Sequence, residues 1–198
     1  MRLFDQGWCE LKLFLRKQFA TAILKSGCFG AVVLSALIFF TFVGCQNLDG
    51  ALINGMKAPN ITLPDTLGNS LSLDSIRQNK IVIVDFWASW CKPCLETHEQ
   101  LKEIYAEWKD KPIGEAKSGL TIYSVSLDSK PDEWKNALHK YQITWPYQVN
   151  DPKALSSAVA QQYIVNQVPT IYVLDQNGIV IGKNITRKWL DYELKRRN

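Results

Sequence analysis

Apolar and polar positions alternate along the chain in patterns that mark out its elements. Ile81-Val82-Ile83-Val84 is a continuous apolar run, and it predicts a central strand over Ile81–Phe86 covered on both faces. Leu120-Thr121-Ile122-Tyr123-Ser124-Val125-Ser126-Leu127 reads as a second strand, and Val168–Leu174 as a third that begins at a proline. Asp175-Gln176-Asn177-Gly178 is a hairpin turn, from which Ile179–Gly182 returns antiparallel. Between these strands the spacing is helical. A helix is expected from Leu95 to about Lys109. A second is expected from Lys130-Pro131-Asp132 to about Tyr141, with Trp134, Leu138 and Tyr141 inward. A third should start at Asp151-Pro152, with Asp151 as cap and Pro152 in the first turn, and end near Tyr163. Trp145–Val149 reads as extended, and a last helix as spanning roughly Arg187–Lys195. Upstream, Ala58–Leu63 and Ser70–Leu73 flank the turn Pro64–Asn69, which predicts an N-terminal β-hairpin. Asp74 follows as the cap of a short helical turn through Arg77. The expected fold class is α/β, a mixed central sheet flanked by helices.

The N-terminus breaks this pattern. Cys28 to Val43 runs without a charge behind a basic flank. It is short for a membrane-spanning helix, which needs about 20 apolar residues, and suits the apolar core of a signal peptide better. The flank orients the chain with its N-terminus inside and the domain exported. Phe42-Val43-Gly44-Cys45 resembles a bacterial lipoprotein box, which implies lipidation of Cys45; a retained membrane anchor is the other reading. The expected organisation is a signal peptide or anchor over 1–44, a linker over 45–57 and a folded domain over 58–198.

Composition narrows the function. The net charge of the 198 residues is +4. Before Gly44, five basic residues stand against Asp5 and Glu10, so the exported part is close to neutral and nucleic acid is excluded as a partner. Of five cysteines, only Cys91 and Cys94 fall inside the domain, too few for a disulfide scaffold. Their Cys-x-x-Cys spacing lies between a buried strand and a helix start, which is the setting of a dithiol–disulfide switch. The helix N-terminus favours a thiolate at Cys91, Lys92 adds a positive charge, Pro93 fits the first helical turn, and Cys94 is one turn on. Half a zinc site is the competing use of such a pair. Structural zinc takes four ligands, and the chain offers no second cysteine pair and only His98 and His139, of which His98 reads as an exposed helix residue. No metal and no cofactor is expected.

Asp85-Phe86-Trp87-Ala88-Ser89-Trp90-Cys91-Lys92-Pro93-Cys94, together with Val168-Pro169-Thr170, Asp175–Gly178, Ala58-Pro59 and Ser126-Leu127-Asp128, resembles the thioredoxin superfamily. Within it, the resemblance is to the TlpA/ResA-like envelope thiol–disulfide oxidoreductases, related to the AhpC/TSA-type domains, and it runs from about Ala58 to Gly182. It implies a thioredoxin-like fold with Cys91 as nucleophile, Cys94 as resolving thiol and Asp85 as the buried acid that exchanges the proton of Cys94. A strand-end residue that is merely hydrogen-bonded is the other reading of Asp85. The resemblance further implies a cis bond before Pro169, with Val168, Pro169, Trp90, Lys92 and Pro93 shaping the substrate surface. Thr97 and Glu99 depart from the branch, which has Glu and Pro at those positions. The implied activity is reduction of disulfides in envelope proteins, for example in cytochrome c maturation. Electrons would come from a membrane thiol donor, in a periplasm-facing protein tethered by its anchor or lipid. A peroxiredoxin-like thiol peroxidase and a non-catalytic tethered binding module are the alternatives.

Overall fold

The computed structural model of the chain describes residues 52–198. The expected leader over 1–44, Cys45 and the first part of the expected linker lie outside the described residues. A hairpin of β1 (Thr62–Pro64) and β2 (Ser70–Ser72) opens the fold, followed by the one-turn α1 (Leu73–Ile76). The main sheet takes β3 (Ile81–Trp87), β4 (Leu120–Ser126), β5 (Tyr147–Asn150), β6 (Thr170–Leu174) and β7 (Val180–Lys183) in the order β5-β4-β3-β6-β7. The pairings β3–β4 and β4–β5 are parallel; β3–β6 and β6–β7 are antiparallel. The helices are α2 (Lys92–Trp108), α3 (Pro131–Lys140), α4 (Ala158–Gln162) and α5 (Arg187–Arg197). This is the expected mixed sheet flanked by helices, with its N-terminal hairpin.

The apolar run of β3 explains its place in the middle. Every residue of the strand is buried, and alternate side chains feed two separate cores. Ile81, Ile83 and Trp87 face α2, α3 and α5, where Leu101, Ile104, Trp134 and Leu190 meet them. Val82, Val84 and Phe86 face the other way, onto Ile61 and Leu73 from the hairpin side and onto Tyr163.

Local expectations are refined at four places. The segment after Pro152 is not one helix. A 3-10 turn (Ala154–Ser156) ends at Ser157, whose extended backbone breaks the run and whose hydroxyl caps α4 by accepting from Ala160 N–H at 2.9 Å. Asp74 does not cap α1: it lies inside the first turn, where its carboxylate takes Arg77 Nε at 2.7 Å, and Ser72 holds the cap position. Helix α2 begins at Lys92, with Cys91 as its N-cap, and runs unbroken through Glu99. Residues 52–57, inside the stretch expected as linker, lie against the sheet edge: Leu52 is buried, Gly55 N–H donates to Val180 O at 2.8 Å, and Lys57 bridges Ile179.

Candidate active site

Strand β3 delivers the chain to a short loop, Ala88-Ser89-Trp90, and the loop delivers it to the N-terminus of α2. Cys91 and Cys94 are joined there as a disulfide, with Cα atoms 5.3 Å apart. Two backbone features set the pair at the helix start. Cys94 N–H reaches both Cys91 O at 3.0 Å and Cys91 Sγ at 3.2 Å, and Leu95 N–H donates to Cys91 O. One N–H of the first helical turn, that of Cys94, thus points at the sulfur of Cys91, where it and the helix N-terminus stabilise negative charge. Cys91 is 4% exposed and Cys94 fully buried, so the N-terminal sulfur is the one an incoming group meets. Lys92 and Pro93 are exposed, and Trp90 projects with 66% of its surface free. Beside them lies an open cleft of about 540 Å³, lined by Trp90, Lys92, Leu95, Glu96, Glu99 and Tyr141.

The loop is pinned from β4. Asp128 is fully buried, and its carboxylate accepts from Ser89 N–H at 2.9 Å, Ser89 Oγ at 2.7 Å and Ser126 Oγ at 2.8 Å. Asn150 closes the set by donating to Asp128 O at 2.9 Å. A carboxylate that accepts several charge-assisted bonds holds its partners more firmly than neutral bonds would. Asp128→Ala leaves buried donors without an acceptor, and we expect a loss of about 2–3 kcal/mol. Urea unfolding checks the stability. Alkylation of reduced Cys91 checks the loop, because freeing Ser89 loosens the segment that carries the cysteine.

Asp85 is fully buried on the same sheet face as Trp87, the face that α2 covers. Its Oδ2 lies 2.8 Å from His98 Nε2 and accepts the Ser124 hydroxyl at 3.0 Å. Ser124 Oγ in turn accepts the indole N–H of Trp145 at 2.9 Å. The expectation that His98 is an exposed helix residue is overturned: it is 1% exposed, with Trp87 and Trp145 against its ring. A signal for this lay in the spacing. Cys94, His98, Leu101, Ile104 and Trp108 form one buried stripe of α2, and His98 is a member of it. Ser89 and Asp128 entered the sequence reading only as members of matching motifs, and Ser124 and Trp145 were given no role in the site; serines inside a strand buried on both faces were the available hint.

The bond between Val168 and Pro169 is cis. Both residues are half-buried just before β6, and Val168 packs against the core cluster that contains both cysteines. The structure therefore gathers Asp85, Trp90, Cys91, Lys92, Pro93 and Cys94 at the end of β3 and the start of α2, with Val168 and Pro169 at the neighbouring end of β6. Cys45 lies outside the described residues.

A family model described as thioredoxin-like matches residues 79–180, just over half of the chain and all of the segment that carries this site. The chain belongs to the thioredoxin-like family. Among its relatives is the thiol–disulfide oxidoreductase ResA of Bacillus cereus, 28% identical over 66% of this chain and 69% of the relative. A solved thiol–disulfide oxidoreductase from Bacteroides fragilis is 32% identical, covers 71% of this chain and 98% of its own, and superposes with a TM-score of 0.63. The thioredoxin domain of one from Bacteroides vulgatus is 32% identical over 75% of this chain and 100% of its own, with a TM-score of 0.64. This thioredoxin-like protein is a thiol–disulfide oxidoreductase, and its resemblance to the ResA group, read from the residues around the cysteines, is borne out. Among the described residues, no helix is long and apolar enough to cross a membrane.

Proposed function

We propose that this thioredoxin-like protein reduces disulfides of exported proteins at the outer face of the bacterial membrane, with Cys91 as nucleophile, Cys94 as resolving thiol and Asp85 as the acceptor of the Cys94 proton. The observation that carries the roles is the seating of the pair. Cys91 caps α2 and is the less buried sulfur, while Cys94 lies wholly inside, on the helix face that also carries His98 beside Asp85. The Cys91 thiolate attacks a substrate disulfide, one substrate thiolate leaves, and a mixed disulfide forms. The Cys94 thiolate then attacks Cys91 Sγ, the second substrate thiolate leaves, and the protein is left oxidised. Two electrons pass to the substrate, and a membrane thiol donor returns them. Trp90, Lys92, Pro93, Val168 and Pro169 form the surface on which an extended, unfolded substrate such as an apocytochrome c would lie. The N-terminal segment, by lipid on Cys45 or by a retained anchor, holds the domain at the membrane.

Insulin supplies the test. The purified chain with dithiothreitol should precipitate insulin B chain well above the rate of dithiothreitol alone, and Cys91→Ser should abolish the excess. No excess in the wild type, with peroxide consumed instead, would replace this reading with a peroxidase.

A further inference from the structure

Helix α2 carries one titratable side chain a single turn below Cys94. His98 is four residues on, on the same buried face. The bonding around it has a fixed polarity. An indole nitrogen only donates, so Ser124 Oγ accepts from Trp145 and spends its one proton on Asp85 Oδ2. With Asp85 ionised that oxygen has no proton to give, so the 2.8 Å contact is then made by His98 Nε2–H donating to it. Two polar atoms are left over. Asp85 Oδ1 and His98 Nδ1 are both buried, and neither has a hydrogen-bond partner among the described residues. They are the two places where the pair takes up a proton. The rest of the surroundings is nearly free of charge. Trp87 lies 4.6 Å and Trp145 5.4 Å from the imidazole, ring centre to ring centre. Strand β4 contributes only the Ser124 hydroxyl, and β6 brings Ile171 into register with Asp85. Of the titratable groups nearby, Cys94 lies one turn up the same buried stripe of α2, and Tyr105 stands behind the Trp145 ring, 6.4 Å from it centre to centre. A buried carboxylate without a counter-group is costly, and the imidazole supplies a hydrogen bond and, when protonated at Nδ1, a full charge.

We propose that His98 is the positioning residue that sets the proton capacity of Asp85, and that the Asp85–His98 pair stores the proton of Cys94 during each exchange. This rests on the exchange reaction proposed above. In the resolving step the Cys94 S–H bond breaks and its proton goes to Asp85 Oδ1. The freed electron pair on Cys94 forms the bond to Cys91 Sγ, and the bond from Cys91 to the substrate sulfur breaks, with its electron pair leaving on the substrate thiolate. When a dithiol donor later attacks Cys91 Sγ, Cys94 departs as a thiolate and takes the proton back from Oδ1. Protonation of His98 at Nδ1 cancels the charge of the carboxylate beside it. The pair then accepts the Cys94 proton less readily, and resolution slows on the acid side.

The probe is dithiobis(nitrobenzoate), used on the reduced full chain with Cys9, Cys28 and Cys45 replaced by serine, so that only Cys91 and Cys94 react and thionitrobenzoate is released in two phases. Cys91 releases one thionitrobenzoate, and Cys94 releases the second as it resolves the mixed disulfide. His98→Gln keeps an N–H to offer Asp85 Oδ2 but cannot become charged. We expect its first phase to stay within about twofold of wild type, which also shows that the variant is folded. Its second phase should match wild type on the alkaline side and stay at that rate on the acid side, where the wild type slows, so that the acid-side inflection of the wild-type profile is lost. A second phase with wild-type rate and pH profile overturns the proposal. A wild-type chain with both phases intact that leaves insulin oxidised counts against the proposed substrate reaction, not against the proton store.

Discussion

Cys94→Ser should turn the protein into a trap. Cys91 caps α2 whether or not Cys94 is present, so attack on a substrate disulfide still occurs and a mixed disulfide still forms. The residue that breaks this bond in the wild type is one helical turn away and fully buried. No other cysteine of the domain can replace it, because Cys91 and Cys94 are the only two from residue 46 onward. Turnover should drop on the order of 10³-fold or more, as when the residue that completes covalent catalysis is removed. The measurement is non-reducing electrophoresis after mixing the reduced variant with a disulfide substrate. A stable adduct that dithiothreitol reverses is the expected product. Turnover near that of wild type would show that resolution does not need Cys94, and the mechanism would fall.

The second large effect is on stability and lies away from the chemistry. Gly119 sits where the chain leaves the α2 side of the molecule and enters β4, with φ at +74°. A Cβ there would stand 2.4 Å from Lys109 O and 2.7 Å from Trp108 O, both backbone atoms at the end of α2. The left-handed conformation costs a non-glycine residue about 1–2 kcal/mol, and overpacking adds about 1–3 kcal/mol. Gly119→Ala should therefore destabilise by about 3 kcal/mol, a large share of the roughly 5–15 kcal/mol that holds a domain together. Thermal unfolding should move down by roughly 10 °C. The effect reaches α2 because Gly119 O also accepts Ile81 N–H at 3.0 Å, at the start of the strand that leads to the cysteines. An unchanged melting temperature would mean that the loop shifts freely and that the close approach is not needed.

Most of the fold was legible because its signals are local. A strand buried on both faces has to be apolar at every position, and β3 is so except at Asp85. The cysteine pair falls between that strand and a helix, and Pro93 suits the first turn, so its place as a helix cap follows from neighbours in sequence. The third helix was misread for an equally local reason. Asp151-Pro152 is a good helix start, but Ser157 is a better one, and its hydroxyl takes the cap. His98 was misread for a different reason. A histidine surrounded in sequence by Glu96, Thr97 and Glu99 looks solvent-facing until its own helical stripe is followed from Cys94 to Trp108.

The disulfide switch at the end of β3 and the start of α2 was thus determined by the sequence alone, because strand, turn and helix cap are contiguous. What surrounds the switch was decided only by the tertiary structure. Asp85 and Ser124 are 39 residues apart and meet because β3 and β4 pair in parallel with these two in register. Asp128 reaches Ser89 across the same interval, and Trp145 reaches Ser124 from the segment that enters β5. A polar side chain does not carry in its own neighbourhood the information that it will be buried. That depends on which strand lies beside it and which helix covers it, and here both choices place the carboxylate, the imidazole and the hydroxyl in one buried cluster on the face that α2 covers.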